Sequence, residues 1–219
     1  MLSVVIPVLN GLPGLSAAIG AVVDLADEIV VVDGGSTDGS PAAAAALGAR
    51  VVAAPRGRGM QLAAGASAAR GDWLLFLHAD TALSPGWRAA ADRHMQDAAA
   101  AAGYFRLAFD EASSPARRTA MAAGWRARAL GLPYGDQGLL IARGLYEAVG
   151  GYREIPLMED VDIVRRIGRR RLRPLDAVAT TSAARYRRDG WTRRSLRNLG
   201  CLALYFAGVA PERIARLYG

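Results

Sequence analysis

Asp80 closes the segment LLFLHAD, directly behind an apolar run of strand length. A carboxylate in that position must be met by a cation or a cap, and a hard divalent ion shared with phosphate oxygens is a usual solution in nucleotide chemistry. His78, two residues earlier, is either a second ligand or a core residue. Asp33 ends a second apolar run, EIVVVD, and is followed by Gly34-Gly35-Ser36-Thr37-Asp38-Gly39, a loop whose backbone can approach a ligand closely. The Asp33 carboxylate can accept from a base N–H or from ribose hydroxyls. It can equally belong to a turn in which Asp38 or Ser40 caps a helix from Pro41. The pattern G-x-G-x-x-G is absent, so this is not a dinucleotide fingerprint.

Three acids in four positions, Glu159-Asp160-Val161-Asp162, stand ahead of Arg165, Arg166 and Arg169–Arg171. Acids first and bases last complement a helix dipole. The apolar approach Pro156-Leu157-Met158 adds a second effect, since it can bury one carboxylate and raise its pKa toward the range of a general base. Neighbouring residues on a helix point in different directions, so one acid is expected to be functional and one structural, without the spacing saying which. Arg56 and Arg58 in PRGRG offer two guanidiniums before a helix, suited to phosphate or to a solvated turn. Asp136 in GDQG lies in a binding loop or a tight turn.

The elements that must position these groups alternate. Apolar runs at Val4 to Val8, Ile29 to Val32, Arg50 to Ala53 and Trp73 to Leu77 predict strands, separated by Ala-rich helices at Leu15 to Leu25, Pro41 to Leu47 and Met60 to Ala69. Strand, helix, strand, helix predicts βαβ units and a mostly parallel sheet, whose ligands bind beyond the carboxyl ends of the strands. Asn10, Asp33, Arg56, Arg58 and Asp80 all fall just after a run. Ser84-Pro85 predicts a further helix start, and Tyr104 to Phe109 a strand. Past residue 110 the pattern predicts a helix at Ala116 to Leu130, a strand at Leu139 to Ala142, a helix from Glu159 to Arg171, strands at Leu175 to Ala179 and Ala184 to Arg188, a helix from Thr192 to Ala207 and a last turn from Pro211.

The chain has 219 residues, 52% hydrophobic, enough for one domain with its own core. A single cysteine, Cys201, excludes an internal disulfide framework and a cysteine-based zinc cluster, and fits a reducing compartment. All 27 positive residues are arginine, which excludes lysine-dependent phosphate binding and Schiff-base chemistry. Residues 1–110 carry 7 Arg against 10 acids, and residues 111–219 carry 20 against 10. A basic half can face phosphates, nucleic acid or an anionic membrane. The start MLSVVIPVLN has no basic region or cleavage site, and the longest uncharged apolar run, Leu199 to Ala210, is too short to span a bilayer, so a cytoplasmic location is expected.

In this order and spacing, IPVLN, EIVVVDGGSTDGS, PRGRGMQL, LLFLHAD, GDQG and VGGYREIPLMEDVD resemble the family 2 glycosyltransferases of the GT-A fold, and within them a small bacterial branch associated with arsenosugar biosynthesis. The resemblance covers about residues 1 to 190. It implies an α/β, Rossmann-like single domain with a mostly parallel sheet, a nucleotide-binding half at 1–110, an acceptor-binding half at 111–190 and a C-terminal helical extension at 191–219. By that resemblance Pro7, Val8, Asn10 and Asp33 line the nucleotide pocket, and Asp80 holds a Mg²⁺ or Mn²⁺ ion and the donor diphosphate. Asp160 is the catalytic base with Glu159 beside it, Arg56 and Arg58 lie near the nucleotide, and Asp136 lies near the donor sugar or acceptor. The implied reaction is inverting transfer of one sugar from a nucleotide-diphosphate sugar to a hydroxyl of a small or lipid-linked acceptor.

Two departures stand out: the family's VDDGS reads VDGGS here, and D-A-D reads His78-Ala79-Asp80. The first removes a carboxylate near the nucleotide and the second leaves one where two are common. The alternative they permit is a catalytically weak nucleotide-sugar-binding protein. The processive Q-x-x-R-W signature is absent, which points away from polymer synthesis. A nucleotidyltransferase would need a Gly-rich N-terminal loop and a lysine, and a nucleic-acid module would leave the strand-end acids without a role, so no nucleic-acid partner is expected. Trp191, Arg193, Arg194, Arg197 and the apolar residues after them suit either peripheral contact with an anionic membrane, at its inner face, or a homodimer helix.

Overall fold

Leu2–Val8, apolar except for Ser3, carries apolar side chains on both faces, as suits a strand, β1, that is completely buried. The computed structural model describes residues 1–98 and 100–218. β1 lies inside an eight-stranded sheet with β2 (Glu28–Asp33), β3 (Arg50–Ala53), β4 (Trp73–Phe76), β5 (Thr81–Leu83), β6 (Ala102–Phe109), β7 (Leu139–Ala142) and β8 (Leu172–Thr181), ordered β3-β2-β1-β4-β7-β6-β8-β5. β1 to β4 pair in parallel, β7 runs antiparallel to β4 and β6, β8 is parallel to β6, and β5 closes the edge antiparallel to β8.

Alternate side chains leave opposite faces of the sheet, so each face needs its own helical cover. Val5, Val32, Leu74 and Phe76 pack with Leu62 of α3 (Arg58–Ala68), Ala127 of α5 (Ser114–Leu130), Val164 of α7 (Glu159–Ile167) and Leu202 of α9 (Trp191–Phe206). Val4, Ile6, Val31 and Leu75 pack with Leu15 and Ile19 of α1 (Leu12–Gly20), Ala44 of α2 (Ser40–Ala46) and Trp87 of α4 (Trp87–Asp97). The result is a three-layer α/β fold with a mostly parallel central sheet. Strand order reverses at β1, with β2 on one side and β4 on the other, and a crevice opens beyond their carboxyl ends. Three short helices, α6 (Arg143–Ala148), α8 (Ala184–Asp189) and α10 (Pro211–Tyr218), complete the chain. Among the described residues no helix is long and apolar enough to cross a membrane.

The structure corrects several expectations. Residues 184–188, expected as a strand, form α8: Ser182 Oγ accepts from the Ala184 N–H, and Gly190, at φ 81°, stops the helix. The helix expected to reach Arg171 ends at Ile167, because Gly168 takes φ 82° and Arg169–Arg171 make a 3-10 turn into β8. Ser84 does not cap α4; Gly86 stands there in a left-handed conformation, and Ser84 Oγ instead accepts from the Val178 N–H of β8. α1 spans Leu12–Gly20 rather than Leu15 to Leu25, and β5 and α6 carried too little pattern to be anticipated.

Candidate active site

The edge beyond β1 and β2 is built by side chains that satisfy the backbone. Gln61, buried on α3, donates through Nε2 to the carbonyls of Val8 at 2.7 Å and Val32 at 2.8 Å, tying the two strand ends together. Asn10 adopts φ 51°; its Oδ1 accepts from the Thr37 N–H at 2.8 Å while its own N–H donates to Ser36 Oγ. The Asp33 carboxylate accepts from the N–H groups of Gly35 and Ser36, each at 3.1 Å, and Asp38 accepts from Leu12 and Ser40. A Cβ at position 34 would press on the Gln61 amide at 3.0 Å, which gives the VDGGS departure a physical reason: the brace occupies the space beside Gly34.

Below this edge lies a cleft of about 910 Å³ lined by Pro7, Val8, Asn10, Arg56, Arg58 and Asp80, with Thr181, Ser182 and Arg185 from β8 and its continuation into α8. Asp33 is not part of that lining. Asp80 is held at the cleft by close backbone packing, since a Cβ on Gly14 of α1 would meet the Asp80 Cα at 2.8 Å. A second hollow of about 140 Å³ contains Asp136, Glu159 and Asp160 with Tyr134, Arg194 and Asn198. The two share a wall made of Arg58, His78, Asp80, Thr181, Ser182 and Arg185.

Carboxylates in the second hollow are held away from water. Glu159 is buried, which pushes its pKa up to about 7 despite Arg58, whose Nη1 lies 3.5 Å away, and the nearby Asp160 adds to the rise. Asp136 is pushed up to about 6, chiefly by burial, with Arg126 opposing and Asp160 and Asp80 reinforcing the shift. Its Oδ1 is sealed from solvent without a hydrogen-bond partner. Asp160 is half-buried, accepting from the Gly135 N–H at 2.9 Å and the Val161 N–H at 2.8 Å. His78 is kept neutral by burial and by the charges of Arg58 and Arg185, its Nε2 packed so closely on Gly135 that a Cβ there would lie 2.4 Å away.

The third acid of the cluster, Asp162, is clamped by Arg153 at 3.1 Å and Arg166 at 2.5 Å and also meets the Tyr205 hydroxyl, a structural assembly away from the hollow. α7 starts from Met158 at φ 68°. Among the described residues Asn10 and Met158 are the non-glycine residues with positive φ, and they stand at the two ends of the site, where stored backbone strain is commonly found.

Sequence reasoning missed Gln61, Tyr134, Arg185 and Asn198, and it gave Arg194 to the outer contact face of α9, whereas Arg194 is buried, pairs with Asp189 at 3.0 Å and lines the hollow. Arg185 lines both hollows and makes no hydrogen bond or ion pair among the described residues. The available signal for α8, and hence for the position of Arg185, was Ser182 ahead of Ala-Ala-Arg, whose Oγ accepts from the Ala184 N–H in a turn that leads into the helix.

A divalent ion is the group these acids raise. Among the described residues no three His, Cys, Asp or Glu side chains converge into a closed cage. What exists is one carboxylate, Asp80, on the wall between the hollows, and a sealed, unpartnered Asp136 oxygen beyond it. That set fits an ion held jointly by a carboxylate and diphosphate oxygens, and does not fit a free-standing metal site.

A parallel sheet covered on both faces, with its crevice at the strand-order reversal and a carboxylate hollow beside it, defines the GT-A, Rossmann-like class of α/β fold. The family model for glycosyl transferase family 2 matches residues 3–153, and the chain belongs to that family. The matched segment ends before Glu159 and Asp160. No curated protein matches the chain in sequence. Among solved structures, the fold is similar to glucosyl-3-phosphoglycerate synthase from Mycobacterium tuberculosis in complex with Mn²⁺, UDP and glucosyl-3-phosphoglycerate, at TM-score 0.57 and 21% identity over 83% of this chain and 70% of that one. The same synthase with Mg²⁺ and UDP gives TM-score 0.57 and 22% identity, covering 83% and 69%.

Proposed function

We propose that the chain transfers a single sugar, with inversion, from a nucleoside-diphosphate sugar to a hydroxyl of a small or lipid-linked acceptor. The observation that carries this reading is the shared wall: a large cleft at the strand ends and a small carboxylate hollow meet at His78, Asp80 and Arg185, as a two-substrate displacement requires. Residues 1–110, joined by Arg185 from the second half, hold the donor in this reading, and residues 111–190 with the first turns of the tail hold the acceptor. The family model and the solved structures reach the family and the fold; the arsenosugar-associated branch is narrower than either, and Cys201 lies outside both hollows.

Pro7, Val8 and Asn10 form the floor for the nucleotide, with Asp33 at the turn beside them, and Arg56, Arg58 and Arg185 supply positive charge to the diphosphate. Asp160 accepts the proton of the acceptor hydroxyl as its oxygen bonds to the anomeric carbon. The bond from that carbon to the diphosphate oxygen breaks in the same step, and the nucleoside diphosphate leaves with the electron pair. The backbone donors on Asp160 orient its carboxylate, and the Arg58–Glu159 pair fixes the start of α7 behind it. Asp136 lines the same hollow as Asp160, where its carboxylate can accept from a sugar hydroxyl. A Mg²⁺ or Mn²⁺ ion on Asp80, when bound with the donor, supplies charge neutralisation at the leaving group. Arg185 offers fixed charge where the family motif's other carboxylate gives way to neutral His78.

The test is a thermal-shift and donor-hydrolysis panel of UDP-, GDP-, dTDP- and CDP-sugars with and without Mn²⁺ or Mg²⁺, on wild type and Asp80→Asn. UDP leads the panel because the similar mycobacterial synthase is solved with it. Stabilisation by one nucleotide class that needs metal and disappears in Asp80→Asn is the expected result. Binding without hydrolysis or transfer to any acceptor would leave the nucleotide-sugar-binding reading in its place, and no binding at all would end both.

A further inference from the structure

We propose that the outer surface of α5 and α9 is a docking surface for an anionic lipid bilayer. The two helices lie side by side over the same sheet face, where Ala127 of one and Leu202 of the other enter the common core. Their opposite sides expose large apolar side chains: Met121 and Trp125 on α5 are 73% and 61% exposed, and Leu196, Leu199 and Phe206 on α9 are 63%, 61% and 50% exposed. The spacing of each set places it on one helical stripe. Between the helices an apolar groove of about 540 Å³ runs past Leu130, Val164, Leu199 and Phe206.

The charge around these stripes has one sign. Arg118 and Arg128 flank Met121 and Trp125 on the same side of α5, Arg193 precedes Leu196, and the Arg165 guanidinium lies over the Phe206 ring at 4.7 Å. The sequence has no acid between Glu111 and Asp136, none between Asp162 and Asp176, and none between Asp189 and Glu212. These intervals contain α5, most of α9's surroundings including the Arg169–Arg171 turn, and α9 itself. A second copy laid on this face would set arginine against arginine with no carboxylate to answer it. Interleaved tryptophan, leucine and phenylalanine have no role on a nucleic-acid backbone, whereas on a bilayer they enter the acyl boundary while the arginines meet lipid phosphates. The opposite side of α9 carries Arg194 and Asn198 into the carboxylate hollow, so a bilayer at the outer stripe would lie one helix away from the site. The inference concerns this surface and stands whether or not the transfer reaction is as proposed.

The experiment is flotation of the full chain with vesicles of phosphatidylcholine alone and of phosphatidylcholine with phosphatidylglycerol, at low and high salt. The wild type should float with the anionic vesicles at least about tenfold more than with the neutral ones, less so in high salt. The double variant Trp125→Glu, Leu199→Glu should lose that flotation while keeping its circular dichroism and melting temperature, because both side chains project into solvent. Tryptophan emission should shift to the blue on anionic vesicles in the wild type, and the shift should shrink in Trp125→Phe. Failure to float with anionic vesicles, equal flotation of the double variant, or a wild-type dimer in light scattering that the double variant abolishes would overturn the proposal. Duplex DNA binding lost in the double variant would overturn it as well.

Discussion

The two sides of the site hold similar numbers of polar groups in opposite states. Along the β1–β2 edge, Gln61, Asn10, Asp33 and Asp38 spend their hydrogen-bonding capacity on the backbone. Around α7, Glu159 and Asp136 are desolvated and raised in pKa; Glu159 Oε1 has only the 3.5 Å ion pair with Arg58, and Asp136 Oδ1 is buried without a hydrogen bond. The first region is therefore a frame, whose polar groups give shape and are already satisfied. The second keeps unmet electrostatic demand, which costs stability and is the common mark of groups reserved for chemistry. Substitutions should accordingly reduce turnover on one side and folding stability on the other.

The largest expected effect belongs to Asp160→Asn, which removes the proposed base: turnover should fall by about 10²–10⁴ with donor binding nearly unchanged, measured by transfer kinetics beside calorimetry. Next, Asp80→Asn should abolish the metal-dependent part of nucleotide stabilisation, about 2.7 kcal/mol when nucleotide stands at a hundred times its Kd, read by thermal shift. Arg185→Ala should weaken donor binding by about tenfold or more, in keeping with loss of a hydrogen bond to a charged group, without lowering the melting temperature of the free protein. The frame behaves oppositely: Gln61→Leu leaves the Val8 and Val32 carbonyls without this donor, and should cost about 1–3 kcal/mol in denaturant unfolding. If Gln61→Leu were neutral to stability, the distinction between the two regions would fail.

Glu159→Gln sharpens the contrast through pH. Burial raises the Glu159 pKa from 4.5 to about 7, so the folded chain holds that proton more tightly than the unfolded chain. The stability this contributes is fully present in acid and is lost as pH climbs through about 7. The wild type should therefore lose melting temperature relative to Glu159→Gln between acid and pH 8, by about 2–4 °C for each kcal/mol involved. A constant difference across that range would show that Glu159 is not buried as an acid.

Much of the fold was legible because β1, β2 and β4 are buried on both sides and must be written as apolar runs; Asn10 and Asp80, just past β1 and β4, line the crevice, while Asp33 at the end of β2 turns to its own loop. What stayed hidden depends on partners distant in sequence. Gln61 acts on carbonyls of two strands that the chain leaves before it reaches α3, so no local pattern marks it. The choice among the acids of α7 was equally closed: Asp162 is structural because Arg153, Arg166 and the Tyr205 hydroxyl converge on it, a fact of packing. Ala184 to Arg188 misled because alternation of small, aromatic and charged residues resembles a strand, while the turn that leads into the helix is marked by a single hydroxyl, Ser182 Oγ on the Ala184 N–H.

Because Arg58, His78, Asp80, Thr181, Ser182 and Arg185 face both hollows, the proposed donor and acceptor sites would not have separate substrate constants. A side chain on a common partition cannot be altered for one compartment alone: whatever moves to admit a bulkier donor also reshapes the space for the acceptor. Variation in specificity along this scaffold is then forced to proceed in pairs, with donor and acceptor preferences changing together.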